Sequence, residues 1–120
     1  MSEPRLKSEI WVKAQLRLCD IAFLPCVVAR RGDADAGQVL VKVNRLDQGC
    51  ELLARRYSDD GGRAWTVVAG GCAGGAKRED EAACDAYIAR EADMDPDLWV
   101  LDIEDPHGKY LPDGEEPLRD

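Results

Sequence analysis

The hydrophobic pattern of this chain changes its period near Pro25, and this change constrains the fold more than any other feature. Before it, apolar residues recur at intervals near four and predict a helix over about 6–22 with an apolar stripe: Leu6, Ile10, Ala14, Leu18 and Ile21. After it, short alternating runs predict strands at about 26–31, 38–45, 50–57 and 63–69. Gly- and Asp-rich turns separate these runs, so consecutive strands should pair antiparallel. The first half therefore predicts a helix and a four-stranded antiparallel meander.

The second half of the chain predicts one more helix and one more strand. Residues 79–92 start with three acidic side chains, where negative charge suits the helix dipole. After Asp95-Pro96-Asp97, whose proline presets a turn, residues 98–104 alternate as a strand. We expect Trp99 to anchor this last strand in the core. The predicted fold class is α+β, with both helices packed on one face of a mainly antiparallel sheet.

The length of 120 residues and the apolar content of 45% suit one folded domain with one core. We assign this domain to residues 1–105. Residues 106–120 contain three prolines and many acidic residues, so we expect a loose tail. The net charge of −8 is uneven, because residues 66–120 contain fifteen acidic and only five basic residues. That distribution makes binding to nucleic acid or to an anionic membrane unfavourable.

The cysteines predict a reducing compartment. There are five, an odd number, and no two are spaced as C-x-x-C. No secretory signal precedes them, and the longest apolar run, 21–29, is too short to span a bilayer. We therefore expect free thiols in a cytoplasmic protein with no membrane partner.

No pattern in the sequence predicts a cofactor, a metal site or a catalytic group. The glycines of 70–75 are followed by Ala76, whereas a phosphate loop needs the order Gly-Lys-Ser/Thr. The acidic residues of 93–104 match a calcium loop except at its sixth position, where Leu98 replaces the required glycine. His107 is the single histidine, so neither a zinc site nor a triad can be argued.

Two alternative functions stay open. The predicted order of elements resembles the core of restriction-endonuclease-like nucleases, in which Glu51 would open the metal-binding strand. That reading implies a divalent-metal-dependent nuclease with a degenerate site, since Leu52 and Leu53 follow Glu51 and the usual lysine is missing. The other alternative is a structural protein that self-assembles through an exposed edge of the meander.

Three stretches of the chain resemble a family of small bacterial proteins of unknown function: Arg30–Gly37 (RRGDADAG), Val39–Asp47 (VLVKVNRLD) and Asp95–Asp105 (DPDLWVLDIED). The resemblance implies the same order of helix, strands, helix and strand, and it brings no catalytic or cofactor residues.

We therefore predict a non-enzymatic accessory or binding protein that acts through protein–protein contact, with a homo-oligomer also open. Basic side chains are spread over the predicted strands, and some of them should share a solvated sheet face or a face that binds an acidic partner. The residues predicted to take part in binding are Arg30, Arg31, Asp33, Asp35, Asp95 and Asp97.

Overall fold

Two helices and five strands make up the computed structural model, which describes residues 7–57, 62–71 and 77–119. Most of the predicted turn at 58–62 and of the glycine-rich segment at 70–75 lies outside the described residues. In chain order the elements are α1 (Ser8–Ile21), β1 (Cys26–Arg30), β2 (Val39–Asn44), β3 (Cys50–Tyr57), β4 (Arg63–Gly70), α2 (Lys77–Met94) and β5 (Trp99–Glu104). Short 3₁₀ turns lie at Leu46–Gln48 and Pro112–Gly114. The α+β class and its two helices and five strands are as predicted.

The five strands form one mixed sheet in the order β1-β5-β2-β3-β4. The prediction of a four-stranded antiparallel meander is wrong, because β5 lies between β1 and β2, antiparallel to the first and parallel to the second. Only β2, β3 and β4 form a meander. The physical reason is the composition of β5, whose residues Trp99, Val100, Leu101 and Ile103 are all buried. A strand that is apolar on both faces belongs in the middle of a sheet.

The two helices cover opposite faces of the sheet, so the prediction that both pack on one face is also wrong. The core under α1 contains Trp11, Val12, Cys19, Val41, Val43, Leu53, Trp65, Trp99, Leu101, Ile103 and Tyr110. The core under α2 contains Leu40, Cys50, Leu52, Ala54, Cys84, Leu98 and Val100. Strands β2, β3 and β5 carry apolar residues on both sides, and each side needs a cover. Neither helix in the described part of the chain combines the length and apolar content of a membrane span.

The segment after β5 makes defined contacts, in contrast to the loose tail expected from its composition. The buried carboxylate of Asp105 accepts the backbone N–H groups of Lys109 and Tyr110 at 2.9 and 2.8 Å. The hydroxyl of Tyr110 donates to Oε1 of Gln15 in α1 at 2.8 Å. Further on, Leu118 exchanges backbone hydrogen bonds with β4. The C-terminal segment thus ties α1 to the edge strand β4.

Candidate functional site

Two of the stretches singled out in the sequence meet at one corner of the molecule, which we call the motif junction (residues 30–37 and 95–99). The backbone N–H of Asp33 donates to the carbonyl of Asp97 at 3.0 Å, and Nε1 of Trp99 donates to the carbonyl of Asp33 at 2.7 Å. A Cβ at Gly32 or Gly37 would lie 2.0 or 2.2 Å from that Asp97 carbonyl oxygen. Both glycines are therefore required for the loop before β2 to approach the start of β5.

The aspartates of the motif junction hold its turns. Oδ2 of Asp33 accepts the N–H groups of Asp35 and Ala36 at 3.1 and 3.0 Å. Oδ1 of Asp95 accepts the N–H of Asp97 at 3.0 Å. Such bonds from an aspartate to the backbone two or three residues on stabilise a turn in place of a backbone bond. The carboxylates of Asp33 and Asp95 therefore stabilise the turns in which they lie.

The two arginines of the motif junction contact different parts of the chain. Arg30 donates from Nη1 to the carbonyl of Leu98 at 2.5 Å, which links the end of β1 to the start of β5. Arg31 is exposed, pairs with Glu9 at 3.2 Å and places its guanidinium 5.5 Å from the ring centre of Trp99. The structure thus brings the predicted binding residues together, mainly through contacts within the chain. Their role in contacting a partner stays a prediction.

A groove beside the motif junction was not predicted. It has a volume of about 760 Å³ and is bounded by α1, the loop before β2, the β3–β4 pair and the C-terminal segment. We call it the arginine groove, because its lining includes Arg55, Arg56 and Arg63. Its size is that of sites that bind metabolite-sized ligands.

The floor of the arginine groove is an aromatic pair. The rings of Trp11 and Trp65 stack with their centres 5.1 Å apart. Both indole N–H groups donate to the carboxylate of Asp113, at 2.9 and 2.8 Å. This one carboxylate therefore connects α1, β4 and the C-terminal segment, and the indole donors occupy both of its oxygens.

The pairing of β3 with β4 decides which arginines share the groove. Arg55 is opposite Trp65 in the register, and its guanidinium carbon lies 5.9 Å from the centre of that ring. The Nε of Arg55 is buried and has no hydrogen-bond partner. Arg56 instead donates to the hydroxyl of Tyr87 in α2. The sequence shows the basic residues but does not reveal this register. A β-bulge between Leu52 and Leu53 shifts the pairing of β3 with β4.

Glu51, on which the nuclease alternative depends, is an ion-pair partner in the structure. Its side chain is only 4% exposed, and Arg45 contacts Oε1 at 2.8 Å. Arg119 engages both carboxylate oxygens from the C-terminal segment. Among the residues that the structure describes, no three His, Cys, Asp or Glu side chains are grouped to hold a metal ion. The surroundings of Glu51 are therefore those of a buried ion pair.

A second ionic group, of which only the lysine is buried, joins α2 to the sheet. Nζ of Lys42 lies 2.8 Å from Asp85 and 3.9 Å from Glu81. Burial alone would lower the pKa of Lys42, but the hydrogen bond and charge of Asp85 outweigh it and raise that pKa. Burial raises the pKa of the neighbouring Asp102. Lys42 is therefore held in its charged form in an ion pair. This suits a role in packing α2 on the sheet better than a role in proton transfer.

The four cysteines that the structure describes are free thiols: Cys19, Cys26, Cys50 and Cys84. A hydrogen bond with Cys50 and burial both raise the pKa of Cys84. A thiol with a raised pKa is a poor nucleophile at neutral pH. Cys72 lies outside the described residues.

The apolar stripe predicted on α1 faces solvent. The helix instead buries Trp11, Val12, Gln15 and Cys19, about a quarter turn or more away from the stripe. The stripe side chains Ile10, Leu18 and Ile21 are 51%, 57% and 67% exposed. Phe23 follows with 93% exposed, and Val27 of the edge strand β1 lines the same depression as Ile21. We call this region the α1 surface (Ile10, Ala14, Leu18, Ile21, Phe23 and Val27).

The fold and its surfaces define a small α+β protein with an arginine-lined groove and an exposed apolar face on α1. The chain belongs to the family described as "Protein of unknown function (DUF1491)", whose match covers residues 6–113. This confirms the resemblance to an uncharacterised family.

Three solved structures share the fold, and two of them are of DUF1491 family proteins. A crystal structure of a DUF1491 family protein from Caulobacter crescentus CB15 is 38% identical, with a TM-score of 0.72, covering 88% of this chain and 92% of the other. An NMR structure of a DUF1491 family protein from the same organism is 35% identical, with a TM-score of 0.73 over 98% and 99%. The solution structure of Atu0922 from A. tumefaciens is 28% identical, with a TM-score of 0.69 over 95% and 98%. No curated protein matches the chain.

Proposed function

We propose that this protein is a non-catalytic binding module that holds another protein through the α1 surface. One observation carries the proposal: the regular apolar stripe of α1 is turned away from the core. Helices of globular proteins normally direct such a stripe into the core. A contiguous apolar region left in solvent marks a site of protein contact. Phe23 supports this reading, since a nearly fully exposed aromatic ring suits an interface anchor.

The charges beside the stripe favour a particular partner. Lys13 and Arg17 are exposed between the apolar residues of α1. Lys13 pairs with Glu9 at 3.3 Å, and Asp20 is exposed beside Arg17. A partner segment with an acidic residue beside an apolar stripe would complement Arg17, the cation of this face for which no ion pair is seen in the described residues. A basic partner segment would instead be attracted to the acidic residues elsewhere in the chain. We therefore propose an acidic amphipathic helix, docked along α1 in the helix-in-groove manner.

A second copy of the chain fits the α1 surface less well. The stripe is symmetric about Ala14, so two α1 helices could pack antiparallel around that residue. In this arrangement Lys13 of one copy lies on the same side as Arg17 of the other, offset by roughly 3 Å along the axis at 1.5 Å per residue. Like charges that lie at nearly the same height on the same side of two packed helices oppose their pairing. We therefore do not propose self-association, and the test must distinguish it from binding to another protein.

We propose that the module works in the cytoplasm. The support is the set of four free thiols in the described residues, which suits a reducing compartment.

The test is site-specific photo-crosslinking in cells of the source organism. A photoreactive residue at Ile21 should capture one protein, linked through a segment that is helical, apolar on one face and acidic beside it. The matched control is Met94, an equally apolar and 73% exposed position at the end of α2, outside the α1 surface. Equal products at both positions would contradict the proposal. A product consisting of two copies of this chain would replace it with self-assembly.

A further inference from the structure

We propose that the arginine groove is a second binding site, which takes a small organic anion through Arg55. The ligand class is a carboxylate or a phosphate monoester of metabolite size. This inference does not depend on the α1 surface, because Arg55 and the stripe lie on different elements. The proposal starts from Arg55, a half-buried arginine whose Nε is buried and has no hydrogen-bond acceptor.

The surroundings of Arg55 point to a missing anion. Its Nε is buried without a hydrogen-bond partner, and its contact in the described part of the chain is the face of Trp65. A cation over an indole ring recovers only part of the hydration that a partly buried guanidinium loses. A buried polar group without a partner in a native structure calls for an explanation, and an ion bound beside it is one. A guanidinium fork fits both oxygens of a carboxylate or a phosphate.

The other charged groups of the groove already have partners. Asp113 accepts both indole N–H groups, and Asp35 pairs with Lys7 at 3.4 Å. Arg56 donates to the hydroxyl of Tyr87 on the opposite side of the sheet. In the described part of the chain neither acid forms a salt bridge with Arg55, so its guanidinium is open to an incoming anion.

The shape of the groove suggests how the anion would lie. The stacked tryptophans close the floor, so the ligand enters from the open side, where Tyr57 is 77% exposed. The guanidinium of Arg63 lies 5.7 Å from the centre of the Tyr57 ring and adds positive charge at that mouth. An anion that reaches Arg55 would thus have apolar ring surface below it and a cation at the entrance.

The experiment is an NMR titration that follows the indole N–H signals of the protein. The probes are sodium citrate for a carboxylate and glycerol 3-phosphate for a phosphate, each compared with sodium chloride at equal ionic strength. The signals of Trp11 and Trp65 should move saturably with at least one probe. Response to citrate alone, or to glycerol 3-phosphate alone, identifies which anion the site takes.

Three variants separate binding from folding. Arg55→Gln should weaken binding of the active probe at least tenfold, and Arg55→Lys, which keeps the charge but not the fork, should weaken it less. Arg90→Gln is the control, because Arg90 also lies over an aromatic ring, that of Tyr87, but is exposed on α2 and outside the groove. Arg55→Lys serves as the test if Arg55→Gln does not fold. The proposal would be overturned if both probes moved the indole N–H signals no more than sodium chloride does. It would also be overturned if the Arg55 and Arg90 variants bound the active probe with equal affinity.

Discussion

Replacement of Trp99 tests the view that the motif junction fixes β5 in the centre of the sheet. Trp99 is 2% exposed, lies in the core under α1, and donates its indole N–H to the carbonyl of Asp33. Truncating a buried tryptophan to alanine costs about 3–5 kcal/mol. Loss of the indole hydrogen bond is part of that cost, at about 1 kcal/mol. Trp99→Phe retains most of the ring volume, so we expect it to lose about 1–2 kcal/mol, mainly the hydrogen bond.

The assay is urea unfolding followed by far-ultraviolet circular dichroism, which does not depend on the tryptophan that is removed. Domains of this size are usually stable by about 5–15 kcal/mol, so Trp99→Ala should lose a large share of the total. Arg90→Gln, at an exposed position, is the control and should leave the midpoint nearly unchanged. The reasoning fails if Trp99→Ala loses less than about 1 kcal/mol, since a buried core residue cannot be removed so cheaply.

Three further predictions concern the groove, the C-terminal segment and the motif junction. Asp113→Asn leaves one indole N–H without its acceptor and should lower the free energy of unfolding by about 1–2 kcal/mol in urea; an unchanged value would show that the carboxylate is dispensable. Burial raises the pKa of Tyr110 above its ordinary 10.0. The unfolded chain therefore loses this proton first, and stability should fall as the pH rises above 10, less steeply in Tyr110→Phe; equal slopes would contradict this. Arg30→Glu should lower the urea midpoint more than Arg31→Glu, because only Arg30 bonds to backbone carbonyls of the β5 turn; the reverse order would contradict it. The same two variants, titrated with the captured partner, test the predicted binding role of these arginines.

The elements of the fold could be predicted from the sequence, but their arrangement could not. The period of four before Pro25 and the alternation after it are local properties, and they mark α1 and the strands. The place of β5 between β1 and β2 is a long-range property. The one local signal was its apolar character on both faces, with Trp99, Val100 and Leu101 in succession. Adjacent apolar residues give a strand two apolar faces, which indicates a central position in a sheet covered on both sides. The predicted antiparallel meander would have left one face of that strand in water.

The buried face of α1 shows a second limit of pattern reading. The predicted stripe through Ile10 and Leu18 has a regular helical period, yet the helix buries Trp11, Val12 and Cys19 instead. Trp11 finds Trp65 to stack on and Asp113 to accept its N–H, and neither partner is visible along the helix. The arginine groove likewise depends on the register of β3 and β4. Both surfaces on which function is proposed therefore follow from tertiary contacts.

The most direct test of the central claim is a calorimetric titration of the purified protein with the helical segment captured at Ile21. The account predicts that Ile21→Asp weakens binding at least tenfold, which corresponds to about 1.4 kcal/mol. Met94→Asp, the same change at an exposed apolar position on α2, should leave the affinity within a factor of two. Equal affinities for the two variants would show that the partner does not dock on the α1 surface.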